Sequence, residues 1–432
     1  MRHVFSNFFS LSSTSAKRCA VTLGALILLS ATAAAQVTAV RPLTEALADP
    51  GVEVALDTLE ANRSSYAELL VQIGGIVSPS GPEQERAEAV AQEMRRIGLA
   101  DVRVDSMPNA VGIIPGRSGR ALIFVSTLDD LTTVAEHQRA ASDPPEITGD
   151  RVVGPGTNTS STTVAMLTAA KALIEAGLQP EHDLVFAAVA QEETGLTGMR
   201  ALYDAYRDRA VAFIDVLGDG SRISYGALGI HWWKIHASGP GGHTLRGGLP
   251  NVNQGIGRAI DRILGLPQPE TYADRRTALN IAVIESGTVF NHKPESGWFS
   301  LDVRSLDASV IEEMEAETEQ ILADVTEELG ITFEMEPVSL VPGGQIEGIA
   351  DSDLVTTSVA IARHLGLAPQ LSNAGSANLN VAIAGGTPAI GLGGERGGRR
   401  GYADEWADVR AMQRSARHVL LLAATLGGAA TL

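Results

Sequence analysis

The chain of 432 residues holds one cysteine, Cys19, inside its N-terminal segment. Past that segment there is no disulfide, no thiol nucleophile and no cysteine ligand for a metal. Positive charge is also scarce. Lys and Arg number 33 against 51 Asp and Glu, a net charge of −18. Such an acidic balance argues against nucleic acid or an anionic membrane as partner. The sequence has no internal repeat and no long low-complexity tract. The only sizeable apolar run outside strand-like segments lies at the N-terminus, so a mature chain is expected to have no membrane span.

That N-terminus reads as a secretory leader over residues 1–35. Arg2, Lys17 and Arg18 precede an apolar stretch at 21–29, and Ala33-Ala34-Ala35 supplies a small-residue cleavage site. Its removal takes away three cations and no acid, leaving the mature chain more acidic still. An uncleaved anchor is the alternative. The expected location is exported, periplasmic or extracellular.

The full chain is 44% hydrophobic, and past the leader it is patterned as a globular protein. Continuous apolar strands are expected at 121–126, 184–190 and 210–214. A helix at 82–98 has Glu83 and Glu85 early and Arg95-Arg96 late, as a helix dipole favours. An amphipathic helix is expected at 162–176, closed by Gly177. This alternation implies a mainly parallel sheet covered by helices. Beyond Gly226 the pattern becomes strand 229–238, helix 253–264, strands 279–284 and 297–304, helix 310–329 and strand 332–335. That is a small α+β unit. The α/β pattern resumes with helix 351–365, strand 389–392 and helix 409–426. The organisation is an α/β domain at 36–226 and 341–432, with an α+β domain inserted at 227–340.

One apolar strand runs into Gln191-Glu192-Glu193-Thr194-Gly195. Two adjacent carboxylates at a strand end suit hydrolysis, one acting as general base while its neighbour holds a metal. The hydroxyl run from Thr157 to Thr163 allows a serine nucleophile or a helix start capped by hydroxyls. His231 and His236 are five apart on an expected strand, so they face opposite sides and share no metal. His137 reads as a surface histidine or one that swings toward the site. Trp232-Trp233 reads as packing of the insert or a substrate platform.

The layout and motifs resemble the co-catalytic zinc exopeptidase and aminoacylase family, which includes carboxypeptidase G, peptidase T, acetylornithine deacetylase and succinyl-diaminopimelate desuccinylase. The resemblance spans essentially the whole mature chain. It implies a zinc-exopeptidase-like α/β catalytic domain with an inserted α+β lid that dimerises, and two zinc ions held by five side chains. In Gln191 to Gly198, Glu192 matches the general base and Glu193 a zinc ligand. Asp215 matches a further zinc ligand, and Asp129 the aspartate of the first motif. His243, in Gly241-Gly242-His243, sits where the lid histidine reaches the oxyanion. Asn291, Arg304, Gly375 and Ser376 match substrate-binding positions.

The resemblance fails at the metal. Thr127 stands at the first histidine, Thr159 at the bridging aspartate, and Gly401 at the histidine before Asp404-Glu405-Trp406. Catalytic zinc normally uses three protein ligands, and a neutral hydroxyl is a poor substitute. Without a metal, nothing lowers the pKa of an attacking water. The loop 393–401 carries Arg396, Arg399 and Arg400. Either one of these fills the metal position or the loop is a solvated basic turn; the first would be ruled out if no guanidinium came within hydrogen-bonding reach of Glu192, Glu193 or Asp215. Two functions stay open. The chain is an exported hydrolase of peptide or N-acyl amino-acid amide bonds with an unusual zinc or other divalent centre, or it binds such ligands without cleaving them.

Overall fold

The computed structural model describes residues 37–266 and 276–431, so the leader expected at 1–35 lies outside the described residues. An eight-stranded sheet forms the centre. Its order is Ala100–Val104, Ala110–Ile114, Asp183–Val189, Ala121–Thr127, Ala210–Val216, Ala389–Gly393, Arg222–Ser224 and Gln370–Ser372. The four middle strands run parallel. Every residue of Ala121–Thr127 is buried, and all but the first of Asp183–Val189. A strand covered on both faces must be apolar at every position, which is why these segments read as unbroken runs. Phe124 and Phe186 stack across two neighbouring strands with ring centroids 5.4 Å apart. Phe124→Leu is expected to cost about 1–2 kcal/mol from lost volume and ring contact. Urea unfolding reads it, and a midpoint equal to the parent's would contradict the packing described.

The edge strands were not expected. Arg222–Ser224 and Gln370–Ser372 have three residues each, too short to show a period.

Helix Thr157–Glu175 corrects two expectations. It begins at Thr157 rather than 162, and it is buried nearly all round rather than amphipathic. It lies between the sheet and a layer formed by Pro50–Ala61, Arg63–Gly74 and Val409–Thr425. The hydroxyls do not cap it. They sit inside the first turns and donate to local carbonyls: Thr157 to Gly154 at 2.8 Å, Ser161 to Asn158 at 2.7 Å, Thr162 to Thr159 at 3.0 Å. The cap is Gly156 at φ 90°, where a Cβ would lie 2.1 Å from Gln138 Nε2. Ser160 and Ser161 are buried and have no histidine partner, so the serine-nucleophile reading has no support here.

A second sheet follows. Gly229–Ser238 is its middle strand, antiparallel to Ser296–Ser305 and Thr332–Val341. The strand expected at 279–284 is two short ones, Ala278–Asn280 and Ile284–Ser286, both paired to Ser296–Ser305. Helices Val252–Leu264 and Ala308–Leu329 cover one face, burying Ile235, Phe299 and Leu301 against Ile256, Met314 and Leu322. The opposite face carries Ile230, Trp232, Lys234 and Trp298. His231 Nδ1 lies 2.7 Å from Glu315 on the helix side, and His236 Nε2 lies 2.6 Å from Glu336. The two histidines diverge, as strand alternation requires. Trp233 donates to Glu315 at 2.6 Å, whereas Trp232 is 43% exposed on the other face.

Candidate active site

The parallel strands bring their C-terminal ends together, where open α/β sheets place ligands. In register, Val125 pairs with Asp215 and Thr127 with Val189, so the segments after these strands converge. They form one wall of a cavity of about 700 Å³, inside the range of small-molecule sites. Thr127, Thr159, Glu192, Glu193, Gly375 and Ser376 line it, together with Arg222, Arg396 and Arg400. Ile230, Trp232 and Val341 of the second sheet close the far side.

Asp129 and Asp215 stand behind this wall. Asp129 is fully buried and accepts three hydrogen bonds: from Glu192 N at 2.8 Å, Glu193 N at 3.0 Å and Ser80 Oγ at 2.6 Å. Its carboxylate is turned toward the backbone, so it positions the Glu192-Glu193 turn. That turn begins at Gln191, a non-glycine residue at φ 55°, held by Gln191 N donating to Glu83 at 3.0 Å. A left-handed residue fixed this firmly is the kind of strain found at functional sites.

Asp215 accepts from Leu379 N at 3.0 Å, and Asn378 Nδ2 lies 3.4 Å from it and 3.1 Å from Thr127 Oγ1. Burial pushes the Asp215 carboxyl up to about 7, against the pull of those donors. Glu192 is half-buried at the cavity wall. Burial holds its carboxyl well above the usual range, the charges of Glu193, Asp129 and Asp215 add to this, and Arg400 opposes.

Arg400 forms an ion pair with Glu193. A guanidinium therefore does reach one of the carboxylates that the resemblance assigns to the metal. Arg396 also lines the cavity, its Nη1 3.5 Å from the Leu217 carbonyl. Burial, then the neighbouring Arg400, lowers its pKa to about 10. Arg399 points outward to Asp404 at 2.7 Å. Glu405 fastens the loop: buried, it accepts from Gly156 N at 2.7 Å and Gly401 N at 3.0 Å. The sequence had named Glu405 only as part of a motif and gave it no task.

Four residues considered for the site lie elsewhere. His243 is exposed, with Asn291 Nδ2 3.4 Å from its ring, and neither lines the cavity. Arg304 is held by Asp302 at 3.0 Å and does not line it either. His137 sits on helix Thr132–Ala140, away from the cavity wall.

The donor set does not fit a two-metal centre. Glu193 is taken by a guanidinium, Asp215 by an amide and a backbone N–H, and Thr127 is a neutral hydroxyl facing Asn378. Among the described residues no group of three or more His, Asp or Glu is arranged to hold an ion. A cation would also have to approach beside Arg400 and Arg396.

Residues 130–425 match the family described as Peptidase family M20/M25/M40, and the chain belongs to that family. Among solved structures it is similar to the aminopeptidase PepT of Bacillus cereus, at 19% identity and TM-score 0.69, over 84% of this chain and 98% of that one. A tripeptidase of Staphylococcus aureus is similar at 19% identity and TM-score 0.70, over 84% and 97%. The YXEP protein of Bacillus subtilis, described as a dinuclear metal binding peptidase, is similar at 13% identity and TM-score 0.63, over 84% and 98%. At these identities the likeness shows the shared fold. No curated protein sequence matches the chain.

Proposed function

We propose that this protein binds a peptide or N-acyl amino acid in the cavity between its two sheets and does not hydrolyse it by two-metal chemistry. The observation that carries this reading is the ion pair of Arg400 with Glu193. A positive group stands on a carboxylate that the family resemblance assigns to zinc, so the charge a metal would balance is already balanced. The cavity remains open and lined by Gly375 and Ser376, so the capacity to hold a ligand outlasts the metal.

A second reading rests on Glu192. Its carboxyl is held above the usual carboxylate range, as a general acid or base can require, which supports a hydrolase with a different activating group. One experiment separates the two. A panel of dipeptides, tripeptides and N-acyl amino acids is titrated by calorimetry with EDTA, then with zinc, manganese or cobalt, and products are sought by mass spectrometry. Binding that EDTA leaves unchanged, with no product in any metal, is the expected result. Metal-dependent product that Glu192→Gln abolishes would move the assignment to the hydrolase.

The proposal includes export through the leader at 1–35 and pairing of two chains through the 227–340 insert. Pairing would give His243 and Asn291, which miss the cavity of their own chain, another cavity to reach. Sedimentation showing a monomer at micromolar concentration would remove that part.

A further inference from the structure

The cavity wall contradicts the charge of the chain. A protein of net charge −18 lines its largest described pocket with three arginines against two glutamates. Arg400 and Glu193 neutralise each other. The acids behind the wall have their own donors: Asp129 takes Ser80 and two backbone N–H groups, Asp215 takes Leu379 N, and Glu405 takes Gly156 N and Gly401 N.

Two cations are left over. Among the described residues neither Arg396 nor Arg222 has a carboxylate within ion-pair reach, and the one polar contact of the Arg396 guanidinium is the long approach to Leu217. Arg396 is half-buried, and Glu192, Glu193 and Glu405 act on it through space without a direct ion pair, so its hydrogen-bonding capacity is left largely unused. Arg222 is exposed and starts the strand that pairs with Gly393, at the root of the arginine loop. A guanidinium accepts a carboxylate through two parallel hydrogen bonds, and the gain grows as water is excluded. The opposite wall presents apolar side chains of the second sheet, Ile230, Trp232 and Val341.

We infer that the cavity selects ligands with two carboxylates on an apolar body, meaning peptides or N-acyl amino acids that end in aspartate or glutamate, with Arg396 pairing one carboxylate and Arg222 the other. The inference rests on the binding reading above and names the ligand class for that same cavity. It involves no covalent step. Arg400 takes no part in it, being committed to Glu193.

The test uses the full-length protein, N-benzoylglutamate and N-benzoylglutamine, with affinities read by calorimetry in EDTA. The glutamate compound is expected to bind at least about tenfold tighter, as one charge-assisted contact implies. Arg396→Gln and Arg222→Gln are each expected to weaken the glutamate compound by about tenfold. With the glutamine compound only one of the two substitutions should still matter, which identifies the arginine that holds the α-carboxylate. Arg396→Lys keeps the charge and should lose less than Arg396→Gln. If Arg396→Gln fails to fold, the exposed Arg222→Gln carries the same comparison. Equal affinity for the two compounds, or an unchanged glutamate affinity in both glutamine variants, would overturn the inference while the binding reading stood. Failure of both compounds and of the whole peptide panel to bind would overturn both.

Discussion

A chain carrying Thr127→His, Thr159→Asp and Arg400→Ser together is expected to bind zinc on the order of 10⁴-fold more tightly than the parent. The parent offers Glu193 and Asp215, one engaged by Arg400 and the other by Leu379 N and Asn378. Thr127 ends a buried parallel strand and Thr159 lies in the first turn of the buried helix, and both line the cavity. Side chains placed there face the same cavity as Glu193. Partners in the outer shell of a zinc site are each worth about 10–100-fold in affinity, and direct ligands weigh at least as much. Two restored ligands therefore give the stated scale. Removing Arg400 is essential, because a guanidinium at Glu193 competes with the ion for the same oxygens. The double variant that keeps Arg400 is expected to gain far less. Elemental analysis with a competing chelator reads the affinities. A parent that already holds zinc as tightly as the triple variant would defeat the donor-set argument.

The second large effect is on stability. Asp215 is raised from 3.8 to about 7 in the folded protein. The folded state thus keeps a proton that the unfolded chain has released. Its contribution is full below about 3.8 and is lost as pH rises to about 7, a loss of about 4 kcal/mol for a shift of this size. Glu192, Glu83 and Glu405 are raised as well and act in the same sense. His418 acts oppositely. Buried with a pKa lowered to about 4, it destabilises the fold as pH drops below its unfolded value of 6.5. The comparison that isolates Asp215 is Asp215→Asn, which mimics the protonated group. Asn378 has a buried Oδ1 without a partner, so the new amide has an acceptor beside it. Urea midpoints between pH 5 and 8 should fall more steeply in the parent than in the variant, and at pH 8 the variant should be the more stable. Parallel curves would show that Asp215 does not carry the proton.

Much of this was legible in the residues themselves. Strands buried on both faces must be apolar throughout, so Ala121–Thr127 and Asp183–Val189 announced a covered parallel sheet. The carboxylate pair Glu192-Glu193 and the arginines near Gly401 stood in recognisable motifs, and the fold brings them together. What failed had physical causes. The hydroxyls from Thr157 to Thr163 mimic a cap, but burial outweighs propensity and the helix starts among them. Asp129 looks reactive in sequence; only the structure shows it turned toward two backbone N–H groups. His243, Asn291 and Arg304 were placed by motif, yet none of them lines the cavity, and the orientation of an inserted sheet is not written in its local pattern. Arg222 belongs to no motif. Its importance comes from a strand pairing with Gly393, far along the chain.

The backbone of Gly401 decides which mutational routes lead back to a metal. It sits at φ 93°, and its N–H is clamped by Glu405. The space around it would admit a side chain, since an added Cβ meets nothing nearer than 3.8 Å. The conformation would not: a histidine there must hold a dihedral that costs roughly 1–3 kcal/mol. Nor does Thr127→His help by itself, because Arg400 still covers Glu193. A histidine at Gly401 meets strain and one at Thr127 meets an occupied carboxylate, so either gains only in combination with loss of Arg400. The arginine loop thus sets the order of changes: Glu193 has to be released from Arg400 before a new ligand elsewhere can act with it.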